Sequence, residues 1–205
     1  AGSSGNYYLS VFQTSSDDTS AAVQFDIAYG NINGSGSNQY DGNYERLSPS
    51  STTYGQYRSL ILEDENASFT FGDGTNSIIS EDFWVMSIER ARYKETLFPG
   101  TFNLTLGGSG GTYTSIQLTD NSNDVLTQTF IGSNRVLQIV SGSNGSSWDT
   151  TGYVANSGSY GLFFPDIGTI LLNPHAINQS INVDTDKLPD QTNGTNQQTL
   201  FNSIE

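Results

Sequence analysis

The chain has 205 residues, 34% hydrophobic and 14% charged, a length that suits one all-β domain or two small ones. Its 21 Asp and Glu outnumber its 7 Lys and Arg, giving a formal charge of −14, which argues against nucleic-acid and anionic-lipid partners because both need a basic surface. No cysteine occurs, and no apolar run reaches the roughly 18 residues of a spanning helix, so neither a disulfide scaffold nor membrane insertion is predicted.

The first seventy or so residues predict three strands and a helix. Residues 7–14 and 21–30 alternate apolar and polar side chains, as half-buried strands do, and residues 68–72 predict a further short strand. In residues 53–62 the apolar side chains follow helical spacing instead, so we expect a short helix there. Its N-cap is expected at one of three hydroxyl residues, Ser50, Ser51 or Thr52.

The middle of the chain predicts a buried strand, a turn and a hairpin. Residues 83–88, FWVMSI, form a nearly continuous apolar run, which is typical of a strand buried on both faces. The pair Pro99-Gly100 has the residue order of a type II turn, since Gly accepts the positive φ of the second central position. Residues 101–106 and 112–119 flank GGSGG and predict a hairpin.

The remaining apolar segments complete a mostly β chain. Residues 135–140 predict one strand, and residues 160–173 predict strand structure that is interrupted at Pro165. We therefore predict a mostly β fold, a β-sandwich-like antiparallel domain with one or two short helical turns, over residues 1–177. Residues 178–205 are rich in Asn, Gln, Asp and Thr, and predict a polar linker or extension that leads to further sequence or a partner.

The single histidine, His175, restricts every catalytic hypothesis. A Ser-His-Asp triad or most zinc sites would have to use it, but it follows Asn173-Pro174 at the end of an apolar run, where a capping or surface role is commoner. The GGSGG stretch matches the serine-nucleophile pattern only formally, because a strand rather than a helix is expected after Ser109. No catalytic residue, metal ligand or cofactor is therefore predicted, and the chain is expected not to be an enzyme.

Two polar loops carry weaker binding signals. Asp120, Ser122 and Asp124 alternate as calcium-loop ligands do, but the glycine and the distal glutamate of an EF-hand are missing, so a solvated turn is the favoured interpretation. Trp148 lies among Gly, Ser and Asn residues without apolar neighbours. Its indole is a candidate loop anchor for a protein contact or for stacking on a sugar ring, with folding back over an edge of the core as the alternative.

Three of the seven basic residues cluster closely, at Arg90, Arg92 and Lys94. On a strand the three side chains would share one face and form a binding stripe. We favour a helical turn, because the surrounding segment ARYKETL consists mostly of good helix formers. On such a turn Glu89 and Glu95 lie on either side of Arg92 at the spacing of helical neighbours, so local ion pairs are expected.

Several segments, taken together and in order, resemble one protein family. They are YYLSVFQT, AAVQFDIAYGNINGSGS, YGQYRSLIL, FTFG, IERARYKETLFPGTFNLTL, RVLQIVSGS and YGLFFPDIGTILLN, and they span about residues 7–175. As a set they resemble a virion structural protein of contractile-tailed phages of the T4-like type that infect marine cyanobacteria. The resemblance implies a place in the phage particle, in the tail or baseplate, and it brings no catalytic residues.

Together these observations predict a non-enzymatic virion structural protein that makes assembly contacts with other virion proteins, in multiple copies. The basic cluster is then a candidate dock for an acidic neighbouring subunit, since the rest of the chain is so acidic. The alternative is a host-glycan-binding adhesin or tail-fibre domain, with Trp148 and loop tyrosines as its platform. A polysaccharide hydrolase, which would need a pair of carboxylates in a cleft, is the third hypothesis.

Overall fold

The computed structural model describes residues 8–15, 17–34, 49–72, 78–108, 114–148, 159–183 and 196–205. Within these ranges the strands are β1 (Leu9–Phe12), β2 (Val23–Asn31), β3 (Phe69–Phe71), β4 (Ile78–Ser80), β5 (Asp82–Ile88), β6 (Asn103–Gly107), β7 (Ser115–Asp120), β8 (Thr129–Ile131), β9 (Asn134–Ser143), β10 (Ser146–Ser147), β11 (Gly161–Phe164) and β12 (Thr169–Leu172). The helices are α1 (Ser50–Ile61), α2 (Pro174–Ile181) and α3 (Asn196–Ser203), and a 3₁₀ turn covers Arg90–Arg92. The predicted mostly β, antiparallel fold is confirmed.

One curled antiparallel sheet forms the body of the molecule. Its strands lie in the order β1-β2-β5-β12-β11-β9-β7-β6, while β8 and β10 both pair with β9, and β3 and β4 form a small separate sheet. Leu9 of β1 and Leu106 of β6 come from opposite ends of this order, yet both belong to one apolar core. The sheet therefore curls around an inner core that its two ends share.

The central strands bury both of their faces. In β5, Trp84 and Met86 pack into the inner core, whereas Phe83 and Val85 pack into a second core on the other face of the sheet. This alternation follows from the two-residue period of a strand. The prediction of a strand buried on both faces is confirmed, since five consecutive residues of β5 from Asp82 onward are buried.

Helix α1 and the small sheet cover the second core. The Tyr54 ring stacks on Phe83 with 5.2 Å between ring centroids. Its hydroxyl donates to the Ser80 carbonyl at 2.9 Å and accepts from the Phe69 amide at 3.2 Å. One tyrosine thereby joins α1 to β3, β4 and β5.

The helix predicted for residues 53–62 is confirmed, but the predicted cap is wrong. Pro49 is the N-cap residue, with φ of −78°, and its side chain makes no capping hydrogen bond. Ser50 is the first helical residue and is fully buried. The three hydroxyl residues expected as caps therefore lie inside the first turn of the helix.

The predicted turns and hairpins are confirmed where the structure describes them. Gly100 has φ of +85°, and the Thr101 amide donates to the Phe98 carbonyl at 3.3 Å, as a type II turn requires. β6 and β7 form the expected antiparallel hairpin. β11 and β12 pair across the turn that contains Pro165.

Residues beyond 177 belong to the inner core wherever the structure describes them. Ile181 of α2 and Leu200 of α3 are completely buried there. The Trp84 indole Nε1 donates to the carbonyl of Asn196 at 2.9 Å, which ties α3 to the centre of the sheet.

The predicted polar linker from residue 178 is therefore wrong for residues 178–183 and 196–205. These stretches are polar overall, but their few apolar side chains fall where a helix presents them to the core. Residues 184–195 lie outside the described residues.

Candidate functional site

The basic cluster lies on the segment that joins β5 to β6, residues 89–102, called the strap below. β5 is third and β6 last in the strand order. The strap therefore crosses one end of the sheet past β12, β11, β9 and β7. Midway, the Leu97 amide donates to the Pro165 carbonyl, in the turn between β11 and β12, at 3.0 Å. Beyond it, the Phe102 ring stacks on Phe163 of β11 with 5.6 Å between centroids.

Arg135 of β9 holds the middle of the strap. Its Nη2 donates to Thr96 Oγ1 at 3.2 Å and to the Asp166 carboxylate at 2.8 Å. The Arg135 side chain is only 21% exposed. Arg135, which sequence analysis did not single out, is thus a structural cation with its charge already paired.

Asp120 holds the far end of the strap. Its two carboxylate oxygens accept from the Gly100 amide at 3.0 and 2.9 Å, and one also accepts from the Ser122 amide at 3.0 Å. The Asp124 carboxylate accepts from the Ser147 amide at 2.7 Å. The predicted turn is present, but Asp120 is fully buried rather than solvated. No group of three His, Asp or Glu side chains that could hold a metal ion occurs among the described residues.

Arg90, Arg92 and Lys94 are all exposed on the strap. The predicted helical turn is confirmed for the 3₁₀ segment that includes both arginines, but Tyr93 is already extended, with φ of −138°. The Arg90 guanidinium lies 4.5 Å from the centre of the Tyr93 ring, and its Nη1 donates to the Tyr93 carbonyl at 2.6 Å. The turn is therefore short, and Tyr93 points back towards the fold, where its ring lies against Gly168.

The predicted ion pairs of Arg92 with Glu89 and Glu95 are wrong. In the part of the chain that the structure describes, no ion pair within 4.0 Å involves these three residues. The Glu89 side chain instead accepts from the Ala91 amide at 3.5 Å. Because the turn ends before Tyr93, the helical spacing that would bring Glu95 to Arg92 is lost.

Phe98 adds an apolar group to this basic surface and was not predicted from the sequence. Its side chain is 74% exposed. Under the strap lies an apolar cleft of about 440 Å³, lined in part by Phe25, Ile88, Leu97 and Phe102. Exposed aromatic and arginine side chains beside an apolar cleft are typical of protein–protein interfaces.

Trp148 remains a candidate anchor, at a different place in the fold. It follows β10, its amide donates to the Ser141 carbonyl at 3.0 Å, and its side chain is 66% exposed. The indole therefore does not fold back over the core.

A hydrogen-bonded chain around Asp82 was missed by sequence analysis. The buried Asp82 carboxylate accepts from the Tyr29 hydroxyl at 3.0 Å and lies 3.0 Å from His175 Nε2, and Asn31 Nδ2 donates to the Tyr29 oxygen at 3.1 Å. The hydrogen bond to Asp82 raises the pKa of His175 above its ordinary value. Burial, followed by the charge of Asp82, raises the pKa of Tyr29. The one sequence feature that could have indicated this chain is Asp82 itself, an acidic residue at the start of an apolar strand.

Within the described residues, the His175 ring contacts a carboxylate and not a hydroxyl. No Ser or Thr hydroxyl among the described residues hydrogen-bonds to the ring of His175, as a triad would require. The His175 side chain is 66% exposed, and the cap of α2 is Asn173, whose Oδ1 accepts from the His175 amide at 3.1 Å. His175 is therefore largely exposed, and Asn173 rather than His175 caps α2.

Comparisons with known proteins give no further guide to the site. No protein-family model, curated protein or solved structure matches the chain. None of the described helices combines the length and apolar character needed to cross a bilayer.

Proposed function

We propose that the chain is a non-enzymatic assembly protein whose strap docks on an acidic surface of a neighbouring subunit. One observation carries this proposal. In a chain of formal charge −14, the strap presents Arg90, Arg92 and Lys94 exposed and without ion pairs among the described residues, together with the exposed ring of Phe98.

The way the strap is held supports a docking role. Hydrogen bonds from Arg135 and to Asp120 fix its middle and its end before any partner arrives. A segment that is already ordered loses less conformational entropy when it binds. The cations then steer an acidic partner and set its register, while burial of Phe98 contributes apolar contact area.

We place this docking in a phage particle, in the tail or baseplate, on the strength of the resemblance of the sequence segments given above. A basic strap on an otherwise acidic chain also suits contacts between copies. The strap of one copy can face the acidic surface of the next, a head-to-tail contact that generates a ring when the rotation closes.

Charge removal on the strap tests the proposal. The strap variant carries three substitutions that each remove one positive charge: Arg90→Gln, Arg92→Gln and Lys94→Gln. A matched control lowers the net charge equally at exposed positions away from the strap: Thr19→Glu, Ser59→Glu and Ser115→Glu. Quantitative mass spectrometry measures the copies of each variant in purified phage particles, and thermal unfolding of the isolated chain measures stability.

We expect the strap variant to enter particles about tenfold less than the control, since long-range attraction and interfacial charge pairs are lost, with similar unfolding midpoints for both. Equal incorporation of the two variants, or absence of the unmodified chain from purified particles, contradicts the proposal.

A host-glycan adhesin is the second candidate, favoured by the exposed indole of Trp148. The other tryptophan, Trp84, is completely buried, so a change in tryptophan fluorescence on adding host polysaccharide would report on Trp148. Saturable binding that Trp148→Ala abolishes would support the adhesin. Release of reducing ends from the polysaccharide would support the hydrolase hypothesis instead.

A further inference from the structure

A second concave surface lies between α1 and the β1–β2–β5 side of the sheet. It is a groove of about 350 Å³, within the range of small-molecule sites. Its polar and aromatic lining is formed by Tyr8, Asp26, Thr53, Gln56, Tyr57 and Ser87. None of the lining residues is basic.

A row of polar side chains crosses the sheet at the floor of the groove. Ser10 pairs with Asp26, and Asp26 pairs with Ser87, in the registers of β1, β2 and β5. Cross-strand partners share one face of a sheet, and in β5 this face is the one that buries Phe83 and Val85. The apolar packing under α1 therefore gives way to carboxylate and hydroxyl groups at the groove.

Some of the hydrogen-bonding capacity of the groove is unused within the described residues. Asp26 Oδ1 accepts from Ser10 Oγ at 2.7 Å, whereas no described group hydrogen-bonds to its Oδ2. The side-chain amide of Gln56, a residue exposed on α1, likewise has no hydrogen bond among the described residues. The groove thus offers a strong acceptor and an amide that both donates and accepts.

Two tyrosine rings border these polar groups. Tyr8 is 42% exposed. Tyr57 is half-buried and packs edge-on against Phe83 with 6.1 Å between centroids. Burial raises the pKa of Tyr57, so its hydroxyl stays protonated and can donate. The groove therefore combines aromatic surfaces with fixed polar groups.

We propose that this groove binds a neutral saccharide. A sugar carries hydroxyls that donate to Asp26 and accept from Gln56, and its C–H face packs on a tyrosine ring. An organic ammonium ion would also suit Asp26 and the two rings. It has no acceptor for the Gln56 amide, however, and so would use less of the site.

The groove and Trp148 lie at different places in the fold. It lies on β1, β2 and β5, whereas Trp148 bonds to β9, which β12 and β11 separate from β5 in the strand order. Saccharide binding here would add a ligand site to an assembly protein, and neither proposal depends on the other.

Nuclear magnetic resonance titration of the full chain tests the groove. The probes are a panel of neutral disaccharides, with tetramethylammonium as the competing class of ligand. Gln56→Ala removes a groove contact at an exposed helix position. Ser59→Ala, on the same helix but outside the lining, is its matched control, and Trp148→Ala reports on the other candidate site.

We expect saturable shifts of groove residues with at least one disaccharide. Affinity should fall about tenfold in Gln56→Ala and stay unchanged in Ser59→Ala and Trp148→Ala, with thermal unfolding checking that each variant is folded. The proposal is overturned when no disaccharide binds, when tetramethylammonium alone binds, or when Ser59→Ala or Trp148→Ala loses affinity as Gln56→Ala does.

Discussion

His175 Nε2 lies 3.0 Å from Asp82 Oδ1, so a largely exposed histidine on α2 is joined to a buried carboxylate at the start of β5. The same carboxylate accepts from the Tyr29 hydroxyl of β2. One acidic group thereby links the helix to two neighbouring strands of the sheet, and protonation of His175 changes the charge on this link.

The His175–Asp82 pair should make stability depend on pH. The hydrogen bond to Asp82 raises the pKa of His175 above 6.5, so the folded state holds the proton more tightly than the unfolded chain. The stabilisation that protonated His175 gives the folded state is then complete below about pH 6.5, and it is lost as pH rises through the folded-state pKa of His175. Near pH 5.5 we expect the unfolding free energy of the wild type to be higher than that of His175→Gln. The difference should be at most about 1 kcal/mol, because the histidine side chain is largely exposed.

Urea unfolding of both proteins between about pH 5.5 and pH 8.5 measures this difference. At each pH, the unfolding free energy of His175→Gln is subtracted from that of the wild type. The contributions of the other carboxylates, which both proteins share, then cancel. A difference that is constant or grows with pH contradicts the assignment.

Two glycines should respond to alanine in opposite directions. A methyl group at Gly55, within α1, meets no atom within 4 Å, so Gly55→Ala should stabilise the protein by about 0.5–1 kcal/mol through helix propensity. Gly145 has φ of +82°, and a methyl group there would lie 2.7 Å from Ser122 Oγ. Gly145→Ala should therefore destabilise by more than about 1 kcal/mol. Denaturant midpoints that shift in the same direction contradict these assignments.

Leu200 tests whether α3 belongs to the core. It is completely buried, so Leu200→Ala should cost about 2–5 kcal/mol, as buried leucines do. Leu60→Ala is the control, since Leu60 is 52% exposed and should change stability by about 0.5 kcal/mol or less. If both variants lost equally little unfolding free energy, the packing of residues 196–205 in the core would be contradicted and a linker would be favoured.

Local patterns predicted the strands well, and long-range packing explains what they missed. The FWVMSI run and the Pro99-Gly100 pair carry their structure in a few adjacent residues. The C-terminal helices do not, because α3 is tied to the sheet by the hydrogen bond from Trp84 to Asn196, two residues that are distant in sequence. Composition alone made that segment resemble a linker.

For a similar reason, the sequence predicted the first turn of the strap but not the path of the chain after it. Helix formers indicated the turn at Arg90–Arg92, but the exit of the chain at Tyr93 depends on its packing against Gly168. No local sequence pattern predicted the groove under α1. Asp26 and Gln56 come together only because the register of the sheet and the position of the helix place them side by side.

Arg92 and Arg135 should separate assembly from stability. Arg92 has no ion pair among the described residues, so Arg92→Ala should change the unfolding free energy by less than about 0.5 kcal/mol and still lower incorporation into particles. Arg135 is paired with Asp166 at 2.8 Å, so Arg135→Ala should cost about 1 kcal/mol. Equal losses of stability and incorporation in Arg92→Ala would favour a purely structural role for the cluster.

Lys94 provides the most direct test of the docking strap. The sequence has two lysines, Lys94 and Lys187, so labelling with an amine reagent, read by mass spectrometry, resolves each one. Lys94 is exposed in the isolated chain and should be labelled freely there. In intact particles we expect Lys94 to be protected, and a zero-length carboxyl–amine cross-linker to join it to an Asp or Glu of another chain. Equal labelling of Lys94 in the free chain and in the particle, with no such cross-link, would contradict the account.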